Sequence, residues 1–226
     1  MTTEAMNTTE LSLLRERLAD LEQEVGRLKD ESDIRKVQYS YGYFIDKSQY
    51  NECVDLFAED GEVWFLGGIY KGKAGVRRLY IERFQTNFTD GHNGPRYGWL
   101  LDHPQLQMVI DVAPDRKTAK VRGRSTMQAG LHETATGQQR AWWEGGIYEN
   151  EYVREDGVWK IKALRYYPFW HGTLDALRNC LTNAVLRYGK PVVVVETAFP
   201  WTNSAPVLGI PATPAALALP SCPPPG

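Results

Sequence analysis

The chain has 226 residues, enough for one well-cored domain with extensions or for two small ones. Its 26 basic and 28 acidic side chains leave a formal net charge of −2, so there is no basic footprint for nucleic acid or an anionic membrane. Cys53, Cys180 and Cys222 lie far apart without a CxxC, and the four histidines show no metal-ligand spacing; a disulfide framework, a metal and a cofactor are not expected.

The opening MTTEAMNTTE is polar and lacks the apolar core of a secretory signal, and the longest aliphatic run, Val192 to Val195, is too short to span a bilayer. A cytoplasmic protein is the expectation. Aromatic residues make up 12% of the chain and concentrate between Tyr39 and Trp201, which fits either a ring-lined pocket or a Tyr- and Trp-rich sheet surface.

In chain order, residues 1–30 come first. Leu11, Leu14, Leu18, Leu21, Val25 and Leu28 step by three and four, the apolar seam of a coiled coil, with Glu and Arg on the flanks. About three heptads are marginal as an isolated helix, so the seam needs a partner. Self-association into a homo-oligomer is the preferred reading, and folding back on the chain's own domain is the alternative.

Residues 31–170 read as one α+β domain. SDIRKVQYSYGYFIDKSQYNECVDLFAED opens on a Ser/Asp cap signal and carries a broken helical stripe, two helices joined near residues 47–51. GEVWFLGGIYKG reads as two short strands about a Gly-Gly turn, and KAGVRRLYIERFQTNF as an amphipathic helix. Four long strands are expected at 97–112, 118–132, 141–154 and 158–167. Helices followed by antiparallel strands predict a curved antiparallel sheet wrapped around the N-terminal helices, leaving a conical cavity.

Several side chains in this zone carry chemistry. Asp46 follows two apolar residues in FIDK, where burial would favour a general base, although a helix-end Asp also caps backbone or pairs with Lys47. His103 lies in the apolar stretch WLLDHPQL and is either a proton shuttle or a structural histidine. On the last strand Trp159, Ile161, Ala163, Arg165 and Tyr167 share a face by alternation, which points Arg165 to the apolar side, as an anion clamp or in an ion pair. Tyr41 precedes Asp46 on the same helix; Trp64, Trp99, Trp143 and Tyr148 are candidate walls, and His92 in TDGHNGP is a lesser candidate.

DIRKVQYSYGYFIDK, ECVDLFAEDGEVWF, HPQLQMVIDVAPDRKTAKV and GIYENEYVREDGVWKIKALRY together resemble the SnoaL-like branch of the nuclear-transport-factor-2-like superfamily over residues 31–173. The resemblance implies a cofactor-independent lyase or isomerase, dehydratase-like, acting on a small hydrophobic cyclic or aromatic hydroxy or keto substrate. It implies a site of Tyr41, Asp46, His103 and Arg165. A second sheet histidine of scytalone dehydratases has no counterpart here, where Met127 or Gln128 stands. A non-catalytic ligand-binding or oligomerisation module on the same fold is the alternative.

Residues 171–226 differ in character: TLDALRNCLTNAVLRYGK reads as a helix, PVVVVE as a buried strand, and the Pro/Ala-rich end as disordered. YYPFWHGTLDALRNCL and RYGKPVVVVETAFPWT, within residues 166–201, resemble a fragment of the arabinogalactan endo-β-1,4-galactanases, retaining glycosidases on a TIM barrel, whose nucleophile would be Glu196. A barrel needs on the order of 250 residues and a retaining mechanism a second carboxylate. The fragment supplies neither, so a junction between two sequence families is expected near residues 166–173, and galactan hydrolysis is the least favoured function.

Overall fold

The computed structural model describes residues 8–133 and 135–173. The expectations for Cys180, Glu196, Cys222 and the Pro-rich end lie outside them. The first element is a single helix, α1 (Thr8–Asp46), with no break where the first two zones were expected to meet. No Gly or Pro lies between Arg27 and Tyr41, and ion pairs from Arg27 to Glu31 and Lys29 to Asp33 bridge the expected boundary. Exposure, rather than helicity, changes there. The apolar seam before Asp30 is open to solvent, whereas Ile34, Tyr41 and Ile45 belong to the core.

Helix α2 (Tyr50–Asp55) follows after a turn in which Ser48 takes a left-handed φ of 53°. Strands β1 (Phe57–Phe65) and β2 (Gly68–Lys71) form the expected hairpin. Next comes α3 (Gly72–Arg77), which passes into a π-helical stretch (Arg78–Gln85) and ends in α4 (Thr86–Thr89). The wider π turn brings the adjacent Leu79 and Tyr80 to the same interior, together with Phe84. The expected strand at 97–112 is two strands, β3 (Trp99–Asp102) and β4 (Gln105–Val112), parted at His103-Pro104, where proline has no N–H for the ladder.

Strands β5 (Thr118–Glu133), β6 (Gln138–Glu155) and β7 (Val158–Thr173) are the long ones. The seven-stranded sheet runs β2-β1-β7-β6-β5-β3, with β4 also on β5. All pairings are antiparallel but one: β1 lies parallel to β7, so the sheet is mixed. Curled and unclosed, it wraps α1 and the α3–α4 segment. Tyr50, Phe57, Tyr80, Tyr152 and Ile161 lie at the centre of the core, each essentially without solvent contact.

Two polar clusters fix α1 to the sheet. Asp30, wholly buried, accepts hydrogen bonds from Arg116 Nε at 2.6 Å and Trp159 Nε1 at 3.0 Å, with Arg154 at 3.4 Å. Burial alone would raise its carboxyl pKa, but the Arg116 and Trp159 hydrogen bonds and the two guanidinium charges hold it below the usual value. Two turns on, the buried Gln38 accepts from Asn150 Nδ2 at 2.8 Å and from the Tyr152 hydroxyl, and donates to Gln105 Oε1 at 2.7 Å. Among the described residues no helix is long and apolar enough to cross a membrane.

Candidate active site

The concave side of the sheet encloses a cavity of about 230 Å³. Its walls are mainly rings and aliphatic chains. Phe88 stacks on Trp99 with centroids 4.8 Å apart, and Trp99 meets Trp142 at 6.0 Å. Leu101, Met127 and Leu164 fill the spaces between them. The polar groups in the wall include His103, the Tyr41 and Tyr148 hydroxyls, Tyr166 and Glu144.

His103 is only 6% exposed, and α1 holds it from both sides. Asp46, the last residue of α1, accepts the His103 backbone N–H at 3.2 Å and contacts ring Nδ1 with the same oxygen. The His103 carbonyl accepts from Gln105 Nε2 at 2.9 Å, and Gln105 is in turn held by Gln38. With a carboxylate as its partner, Nδ1 carries the proton, which leaves Nε2 as the ring's basic lone pair. Asp46 sits behind the histidine and is not part of the cavity wall.

Tyr41 lies five residues before Asp46 on α1 and is buried, 6.5 Å from His103 between ring centroids. Its oxygen accepts from the Tyr80 hydroxyl at 3.1 Å. Burial pushes the Tyr41 phenol well above its ordinary pKa, with Tyr80 and Cys53 adding to the effect, and burial does the same to Tyr80 and Tyr148. These tyrosines stay protonated and serve as hydroxyl donors.

Of the other expected site residues, Trp99 and Tyr148 line the cavity and Arg165, Trp64 and Trp143 do not. Arg165 was expected on the apolar face with Ile161 and Ala163. Between those residues, however, β7 carries one residue more than β6, since Ile161 faces Tyr152 while Ala163 faces Glu151. This bulge at Lys162 reverses the alternation. Leu164 and Tyr166 turn inward, and Arg165 turns outward onto Glu151 at 2.8 Å, Glu62 at 3.7 Å and the Trp64 ring at 5.1 Å. Trp64 points outward because its neighbours Val63 and Phe65 point in, and Trp143 gives its expected place to Trp142. His92 sits in an exposed loop.

Glu144 and Tyr166 were not anticipated. Glu144 alternates with the inward Trp142 on β6 and pairs at its outer side with His171 Nδ1 at 3.1 Å. Burial first, then the nearby Glu144, drives the Tyr166 phenol far above its ordinary range. Among the described residues, no group of three His, Cys, Asp or Glu side chains is arranged to hold a metal.

A curved sheet around a ring-lined cavity, with an Asp–His pair at its helix side, is the architecture of an α+β cone domain. The SnoaL-like domain model matches residues 26–165, well over half the chain, and the protein belongs to that family. A hexachlorocyclohexane dehydrochlorinase (LinA type 2) superposes with a TM-score of 0.54 at 20% identity, covering 67% of this chain and 93% of that one. A structure titled a putative scytalone dehydratase from Novosphingobium aromaticivorans gives 0.50 at 22% identity, over 65% and 89% of the two chains.

A different likeness is partial. An arabinogalactan endo-β-1,4-galactanase of Cellvibrio japonicus is 31% identical over 125 residues, 54% of this chain and 30% of that enzyme. The chain spans between 13% and 30% of the length of the curated relatives it matches. Of the galactanase-like stretch, residues 166–173 are the end of β7 within the SnoaL-like sheet.

Proposed function

We propose that the protein is a cofactor-independent lyase or isomerase that removes a proton from carbon in a small, neutral ring substrate. The observation that carries this reading is His103 itself: a nearly buried imidazole in the wall of an apolar cavity, its Nδ1 taken by Asp46. The names of the structural relatives, a dehydrochlorinase and a dehydratase, agree with it.

His103 Nε2 takes the proton from a ring carbon. The C–H electron pair becomes a new double bond, and a hydroxide or halide on the adjacent carbon departs with its bonding pair. Where a ketone stands there instead, the pair moves onto its oxygen, and the proton returns at another carbon. Asp46 is a positioning residue that fixes the tautomer and stabilises the imidazolium formed. With the Tyr80 hydroxyl donating to it, Tyr41 has its own proton to give to an oxygen that gains charge.

Cavity size limits the substrate. An apolar cavity of about 150 Å³ holds benzene, so 230 Å³ suits one substituted ring. Glu144 in the wall disfavours anionic compounds and gives a substrate hydroxyl an acceptor, with Tyr166 beside it.

The test is proton exchange. Cyclic ketones, hydroxy-ketones, phenols and halogenated rings are incubated with the protein in D2O, and loss of ring C–H signal or elimination is followed by NMR. Wild type should exchange or convert at least one class, and His103→Gln should lower the rate by about 10²–10⁴-fold. Asp46→Asn should lower it by about 10-fold or more. Equal rates for wild type and His103→Gln would remove the histidine from the chemistry.

A further inference from the structure

Helix α1 leaves the domain as a long arm, and its heptad positions divide cleanly between two surfaces. With Leu11, Leu18 and Val25 at a and Leu14, Leu21 and Leu28 at d, the subunit's own hairpin between β4 and β5 docks on the opposite positions b and f. Gln23 donates to the Pro114 carbonyl at 2.8 Å, and Asp30 pairs with Arg116. The Arg116 guanidinium lies over Gly26, where a Cβ would come within 1.8 Å of it. The seam therefore faces away from its own domain. Leu14, Leu18, Leu21, Val25 and Leu28 are 52–63% exposed, including those level with the hairpin. Among the described residues, the seam does not fold back onto the chain's own domain.

We propose that the occupant of this seam is the same helix of a second copy, in a parallel, in-register, two-stranded coiled coil. The flanking charges select that partner and that orientation. In a parallel pair each g residue meets the e residue five positions on in the other helix. Those pairs are Glu10 with Arg15, Arg17 with Glu22, and Glu24 with Lys29, opposite in sign every time. An antiparallel alignment of the same seam also pairs Arg17 with Glu24 and Arg15 with Glu22, but it sets Glu10 against Glu31, a repulsion that the parallel pair does not contain. Val25 at a with Leu28 at d favours two strands. After Leu28 the next a and d positions are Ser32 and Arg35, so the apolar seam stops where the domain begins. Both cavity domains then lie at the same end of the coil.

The experiment uses the full chain. Sedimentation equilibrium at tens of micromolar should give twice the 25.7 kDa chain mass. Leu14→Lys/Leu21→Lys should be monomeric, with the sheet's circular dichroism unchanged, and Arg17→Glu should raise the dimer dissociation constant at least several-fold. Adding Glu22→Arg to Arg17→Glu should restore it. Orientation is read in a Cys180→Ser/Cys222→Ser background carrying Leu14→Cys, which should cross-link chain to chain on mild oxidation. A monomeric wild type, a mass of three or four chains, or a dimer that survives the paired lysines would overturn the proposal. A dimer without the Leu14→Cys cross-link would overturn its parallel orientation.

Discussion

Replacing Asp30 by Asn tests how α1 is joined to the sheet. The carboxylate is fully buried and receives Arg116 at 2.6 Å and Trp159 at 3.0 Å, with Arg154 at 3.4 Å. Asn keeps one acceptor oxygen but loses the charge. Hydrogen bonds to a charged group are worth about 1.5–3 kcal/mol each, so weakening two of them should cost about 3 kcal/mol. For a domain of this size that is a fall in Tm of roughly 6–12 °C at pH 7, measured by differential scanning calorimetry.

The pH dependence has a definite sign. The folded carboxyl pKa is depressed, so Asp30 contributes stability above its unfolded value of about 3.9, and that contribution is lost as pH falls through the lower folded value. The gap between wild type and Asp30→Asn should be full above about pH 5 and should close on further acidification, when both side chains are neutral. A gap under 2 °C at neutral pH, or one that stays constant into acid, would refute the account.

Two further outcomes separate the cavity residues from the outward-facing ones. Tyr41→Phe removes a hydroxyl donor but keeps the ring contacts with Tyr80, His103 and Tyr148, so turnover should fall by about 10²-fold, while loss of the acceptor for the buried Tyr80 hydroxyl should cost about 1–3 kcal/mol in stability. Arg165→Met breaks the ion pairs with Glu151 and Glu62 on the far face of the sheet, and should cost about 1 kcal/mol in stability with turnover within about twofold of wild type.

The sequence made the helix-plus-sheet order legible because its signals are periodic. The seam of α1 and the long strands β5 to β7 all carry period 3.5 or 2 over many residues. Contacts that depend on tertiary geometry were not legible. The bulge at Lys162 reversed Arg165 and Tyr166, and the only trace of it in the sequence is Leu164, an apolar residue on what counted as the lysine face. Glu144 looked like an ordinary sheet carboxylate, although Trp142 two residues earlier fixes it to the inward face. Gln38 and Gln105 gave no signal at all, because an amide buried between a helix and a strand has no characteristic spacing. The single helix through Asp30 was missed because Ser32 and Asp33 read as a cap, while the pairs Arg27–Glu31 and Lys29–Asp33 that carry the helix across look like ordinary surface charge.

One helix therefore sets the orientation of the proposed base. Asp46 grips the imidazole and the backbone N–H of His103, while Gln38, through Gln105, grips its carbonyl. The opposing wall, with Leu164 and Tyr166 on β7 and Glu144 on β6, belongs to the sheet alone. His103 itself sits between β3 and β4, both paired with β5, so the sheet sets its distance from that wall, while α1, held by the buried polar clusters at Asp30 and Gln38, sets the orientation of its ring. Polar groups this deep cost desolvation free energy that a purely apolar contact would avoid. Their directional hydrogen bonds allow α1 one rotation and one height against β5 to β7, whereas apolar packing alone would tolerate several. A catalytic pair needs that definition, since an error of about 1 Å in its placement can cost on the order of 10²-fold in rate.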